Sequence, residues 1–143
     1  MTRAPARAAA AYGHAAQAVP PLRQVVMLYD GAIRRITEAK LAIAEGRIED
    51  RFNAVQKAAA IVDALHACLD FERGGDIARL LDRLYIYVSL RLQAINTAND
   101  PALCDEVIAR LGDLREAWNG LIEGQTPTAA PTVPRSEGAS LAA

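Results

Sequence analysis

The sequence predicts an all-α protein: an antiparallel up-down four-helix bundle with a flexible N-terminal segment and a disordered C-terminal tail. Three observations carry this. Along four successive stretches the apolar residues recur at spacings of three and four, the period of an amphipathic helix, and nowhere do they alternate with a strand's period of two. Of the 143 residues 52% are hydrophobic, with alanine supplying much of that share and aromatics only 5%; such composition favours helix over sheet. The breaks between the stretches are short, which sets neighbouring helices antiparallel.

Residues 1–19 are Ala-rich without strong periodicity and read as a flexible arm, with Tyr12 its one large apolar side chain. A large amphipathic ring on such an arm suits a removable plug that docks back on the folded body. Pro20-Pro21 opens the first helix, because proline lacks the N–H that a first-turn position leaves unpaired anyway. From Leu22 to Ala44 the stripe is Leu22, Val26, Tyr29, Ile33, Ile36 and Ile43, with Lys40 in line and free to snorkel. Asp30 and Arg34, four apart, form a solvent pair, and Gly46 closes the helix.

The second helix is expected from about Ile48 to Phe71. Phe52, Val55, Ala58, Ile61, Val62, Leu65 and Leu69 spread over an arc of roughly 200°, where a helix covered on one side needs little more than about 100°. Asn53, Gln56, Lys57 and Asp63 mark its solvent side. Gly74-Gly75 reads as its end, with Asp76 capping a third helix that runs to about Ala98. Ile77, Leu81, Leu84, Val88, Leu92 and Ile95 form that helix's core stripe. A second stripe, Leu80, Tyr87, Leu90 and Ala94, lies about 100° round from it, and Ile86 points nearly opposite the core. Asn99-Asp100-Pro101 starts the fourth helix, whose face is Leu103, Val107, Leu111, Leu114, Trp118 and Leu121, with Trp118 filling the core. Residues 20–123 thus form the bundle, and 124–143, rich in Thr, Pro, Ala and Ser, the disordered tail.

Charge and chemistry narrow the function. With 16 basic and 17 acidic residues interspersed, no basic field exists for nucleic acid or an anionic membrane surface. No apolar run approaches the ~18 residues of a membrane helix, and the arginine-flanked, Gly13-His14-broken N-terminus is not a secretory signal. Cys68 and Cys104, without C-x-x-C spacing, read as small core residues in a reducing compartment, the cytoplasm. Asp63-x-x-His66 is a single instance of a pattern that di-iron bundles need twice, so no metal or other cofactor is expected, and no phosphate loop or nucleophile motif is present.

What remains is surplus apolar surface on the middle helices. It predicts a binding protein, not an enzyme, with a hydrophobic groove lined by Leu80, Tyr87, Leu90 and Ala94 of the third helix and Ile61 and Leu65 of the second. Three alternatives stay open. The surplus stripe could be a self-interface of a homodimer, or buried on both sides of a central helix. His66 at the edge of the second helix's arc could relay phosphate as in histidine phosphotransfer domains, which are also four-helix bundles. HACLDFE, however, lacks the lysine and small residues such domains place after their histidine, and Asp70 one turn on would repel a phosphoryl group.

Pro21 followed by MLYDGAI (Met27–Ile33), LDFERGGDIA (Leu69–Ala78), LDRLYIYVSLRL (Leu81–Leu92), Asn96 with Asn99-Asp100, and EVIARLGDLREAW (Glu106–Trp118) together resemble the flagellar export chaperone family FliS, which is flagellin-specific. The likeness covers about Pro21 to Trp118. The chain departs from the family pattern at Ile86, where an acidic residue is usual, and at Ile95, where alanine is usual; before Pro21 only Tyr12 matches. The resemblance implies a cytosolic chaperone that binds the C-terminal segment of flagellin, blocks premature polymerisation and delivers it to the flagellar type III export apparatus. The implied partners are flagellin, an export gate component, and a co-chaperone or second copy of the chain.

Overall fold

The computed structural model describes residues 10–11 and 21–122; the Tyr12 plug and the tail lie outside the described residues. Among the described residues four helices follow one another: α1 (Pro21–Ala44), α2 (Ile48–Ala67), α3 (Phe71–Ala98) and α4 (Pro101–Ile122). Each buries one stripe at spacings of three and four: Val25, Tyr29, Ala32, Ile36 and Ala39 on α1; Val55, Ala58, Val62 and Leu65 on α2; Leu81, Leu84, Val88, Leu92 and Ile95 on α3; Cys104, Val107, Leu111, Leu114 and Trp118 on α4. Four such stripes pointing at a common axis make a bundle core.

The arrangement is a square. α1 packs on α2 and α4, α3 packs on the same two, and the diagonal pairs do not approach. Cross-helix pairs give the directions. Asp30 binds Arg115 and Lys40 binds Asp105 at 2.7 Å, so α1 and α4 are antiparallel. His66 binds Asp82 at 2.6 Å and Arg51 donates to Asn99 at 2.6 Å, so α2 and α3 are antiparallel as well. Asp30 therefore finds its cation on another helix and not at Arg34, the expected partner one turn away. The diagonal is bridged at the centre of the core. Tyr29 and Tyr85 share a hydrogen bond of 2.6 Å between their hydroxyls, and Trp118 donates its indole N–H to Tyr29 at 2.9 Å.

The α1–α2 turn is the expected glycine cap. Gly46 takes φ +71°, its N–H bonds to Ile43 and that of Arg47 to Ala42, the paired bonds of a Schellman ending. The α2–α3 turn differs from the expectation. α2 stops at Ala67, and Asp70, not Asp76, caps α3: its side chain accepts the backbone N–H of Arg73 at 3.1 Å. Asp76 is instead paired with Arg79. Gly75 does take a positive φ (52°, ψ −125°), but as a kink inside α3 rather than a helix end.

The same corner holds Ala11. Its carbonyl accepts the Asp70 N–H at 2.8 Å, and it is fully buried. Gly74 makes room for it: a β-carbon there would lie 2.9 Å from the Ala11 Cα and 2.8 Å from the Ala78 Cβ. Gly75→Ala forces an L side chain into a backbone conformation it rarely adopts. It should lower unfolding free energy by about 1–3 kcal/mol, read as a shift of the urea midpoint at unchanged slope.

Both cysteines are free. Cys104 lies in the core, and burial, with Asp105 beside it, pushes its thiol up to about 11 from 9.0. A thiol neutral in the fold and more acidic in the open chain contributes stability below pH 9 that is lost as pH rises toward 11. Cys104 should therefore resist alkylation at pH 8 until the protein unfolds, whereas half-buried Cys68 should react sooner; mass spectrometry of time-resolved labelling reads both.

Candidate functional site

α3 carries large apolar side chains on its outside. Leu90 is 60% exposed and Ile86, one turn earlier, 46%. The two lie on the side of α3 turned away from its core stripe, as the angular position of Ile86 requires. α3 also packs less extensively on α2 and α4 than α1 does.

The residues expected to line one groove separate into three places. Leu80, Tyr87 and Ala94 recur every seven residues and form one edge of α3. This edge faces α4, because the Tyr87 hydroxyl donates to Glu106, whose second oxygen accepts from Arg91 at 2.7 Å. All three are half-buried, and this polar clasp ties the middle of the α3–α4 seam. Leu90 alone of the four faces outward. Ile61 sits on the other side of the molecule, 3.4 Å from where a β-carbon of Gly31 on α1 would be. Leu65 is 1% exposed, inside the α2 stripe. Its core position removes it from the candidate surface, because it continues the spacing of Val55, Ala58 and Val62 and so points at the bundle axis.

Two apolar residues on the open surface were not among those expected. Ile86 adjoins Leu90 by helical spacing. Phe52, 47% exposed, follows Arg51, which the Asn99 bond places beside the C-terminal end of α3. Phe52 therefore adds exposed apolar surface where α2 meets the C-terminal end of α3. A sequence signal for Phe52 existed: spacings of four, three, four and three run Arg51, Val55, Ala58, Val62, Leu65. They put the arginine in the buried stripe and the phenylalanine beside it.

His66, the residue read as a possible phosphate relay, is engaged within the bundle. His66 holds Asp82 through Nε2 at 2.6 Å, is half-buried, and has its ring 6.0 Å from that of Tyr85. It acts as a strut between α2 and α3, and the nitrogen a phosphoryl group would need is engaged by a carboxylate. Among the described residues no three acidic, His or Cys side chains cluster as metal ligands, and no helix is long and apolar enough to cross a membrane.

Comparison with known proteins bears on the family to which such a bundle belongs. A family model described as Flagellar protein FliS matches residues 4–125. The chain is 39% identical over 101 residues to the flagellar secretion chaperone FliSB of Pseudomonas aeruginosa, covering 71% of this chain and 80% of that protein. It is 37% identical over 102 residues to flagellar secretion chaperone FliS of Vibrio cholerae (71% and 75% covered) and 37% over 105 residues to that of Salmonella typhimurium (73% and 78%). With coverage of this order, the likeness is to most of each chaperone and not to one shared motif.

Proposed function

Because the chain belongs to the FliS family of flagellar secretion chaperones, we propose that it holds the disordered C-terminal segment of flagellin on the outer face of α3. There it keeps the segment from polymerising early and hands it, in the cytoplasm, to the gate of the flagellar type III export apparatus. The observation that carries this reading is the pair Ile86 and Leu90, two large apolar side chains left open on a helix whose core stripe is already complete.

The physics suits a client that must be released. A disordered amphipathic segment can fold onto a preformed helix face. Coupled folding of this kind typically buries ~1,000–3,000 Å² and loses part of the gain to ordering the segment. The bundle needs no rearrangement to offer its surface: Ile86 and Leu90 are exposed while the residues beneath them are packed. An N-terminal plug at Tyr12 would cover apolar surface between clients, at some loss of apparent affinity.

Titration calorimetry of the full-length protein with a flagellin C-terminal peptide tests the reading, together with a flagellin polymerisation assay. A stoichiometric complex and suppressed polymerisation are expected. Absence of binding to that peptide at micromolar concentrations would overturn it.

A further inference from the structure

The open face of α3 carries an unpaired cation beside its apolar side chains. Residues 83–98 contain two arginines and no acidic side chain. Arg91 is paired with Glu106 on α4. Arg79, one turn before Arg83, is paired with Asp76, and Arg73 with Asp70. Arg83 is the arginine of α3 left over: it is exposed and makes no side-chain hydrogen bond or ion pair among the described residues. Asp63, exposed on α2 three residues before His66, does not pair with it either.

Its position matters more than its freedom. Arg83 precedes Leu90 by seven residues, so the two lie within about 20° of each other on the helix and about 10 Å apart along it. Ile86 and Tyr87 flank the line between them. A segment whose apolar side chain seats on Ile86 and Leu90 and which continues toward the start of α3 passes directly over this guanidinium. A carboxylate there would complement it, and a basic residue would be repelled.

We infer that Arg83 is a specificity-determining residue of the client site, selecting an amphipathic segment that carries an acidic residue about two helical turns from its apolar anchor. This rests on the chaperone reading above and adds to it the chemistry of the segment chosen. The Arg83 contact lies at the rim of the surface, so it governs which segments dock and how fast more than how tightly the anchor is held. The neighbouring arginines of α3 are already neutralised by acids of the protein itself, which leaves one positive position to be read.

The test is peptide binding by full-length protein carrying Arg83→Glu, Arg83→Lys or Leu90→Glu, at low and at high salt, with circular dichroism to check folding. Arg83→Glu should weaken binding of the flagellin C-terminal peptide about three- to tenfold at low salt, and the difference should close as salt screens the exposed charge. Arg83→Lys should bind near the parent level. Changing a single Asp or Glu of the peptide to Lys should restore binding to the Arg83→Glu protein, the signature of a direct pair. Unchanged binding in Arg83→Glu alongside lost binding in Leu90→Glu overturns the inference and leaves the chaperone reading standing. If the parent protein does not bind the peptide, or if Leu90→Glu alters only self-association, both fall.

Discussion

Leu90→Glu is expected to lower affinity for the flagellin segment by about a hundredfold or more while changing stability by no more than about 0.5 kcal/mol. The asymmetry follows from where the side chain sits. Leu90 is 60% exposed, so removing it withdraws little from the core and leaves no cavity. In a complex the same position would be at the centre of the apolar contact. A carboxylate there would have to be desolvated without a partner, which is among the most damaging changes an interface can receive. Calorimetry gives the affinity and a denaturant melt the stability. Loss of both together would mean that Leu90 supports the fold, contrary to its exposure.

Two residues further on, the effects reverse. Leu92 is 1% exposed and belongs to the buried stripe with Val88 and Ile95. Leu92→Ala should cost about 2–5 kcal/mol, the lost transfer energy plus the residual cavity. For a domain of this size that lowers the thermal midpoint by about 10 °C or more. The peptide affinity of the molecules that remain folded should be close to that of the parent. Leu90 and Leu92 share a residue type and a helix and differ in the direction they point. The pair therefore separates docking from folding more cleanly than any comparison between distant sites.

Much of the fold was legible because the core is periodic. Each helix has apolar residues every three or four positions, and that spacing identifies the buried face of Val55, Ala58 and Val62 without coordinates. It also signalled that α3 has apolar residues to spare. Two kinds of information were missing. Helix ends depend on local capping: Asp70, Gly75 and Asp76 all favour a boundary, and only the bond from Arg73 N–H to the Asp70 side chain selects among them. Position around a helix, moreover, does not say which neighbour stands beside each flank. Leu80, Tyr87 and Ala94 share an arc with Leu90, but the flank they occupy is covered by α4, whose Glu106 lies far along the chain. Ile61 left the groove for the same reason, since it faces α1, whereas Leu65 faces the axis, as its spacing from Val55, Ala58 and Val62 already indicates. Asp30 chose Arg115 over Arg34 through tertiary placement that no local spacing encodes.

Methyl resonances give the most direct test of where the client docks. With flagellin peptide added to isotope-labelled full-length protein, the methyls of Ile86 and Leu90 should shift and broaden as the outer face of α3 is covered. Those of Leu92, beneath them, and of Met27 and Leu41, exposed on α1, should stay in place. Shifts confined to Met27 and Leu41, with Ile86 and Leu90 unmoved at saturation, would contradict the assignment of the client surface to α3.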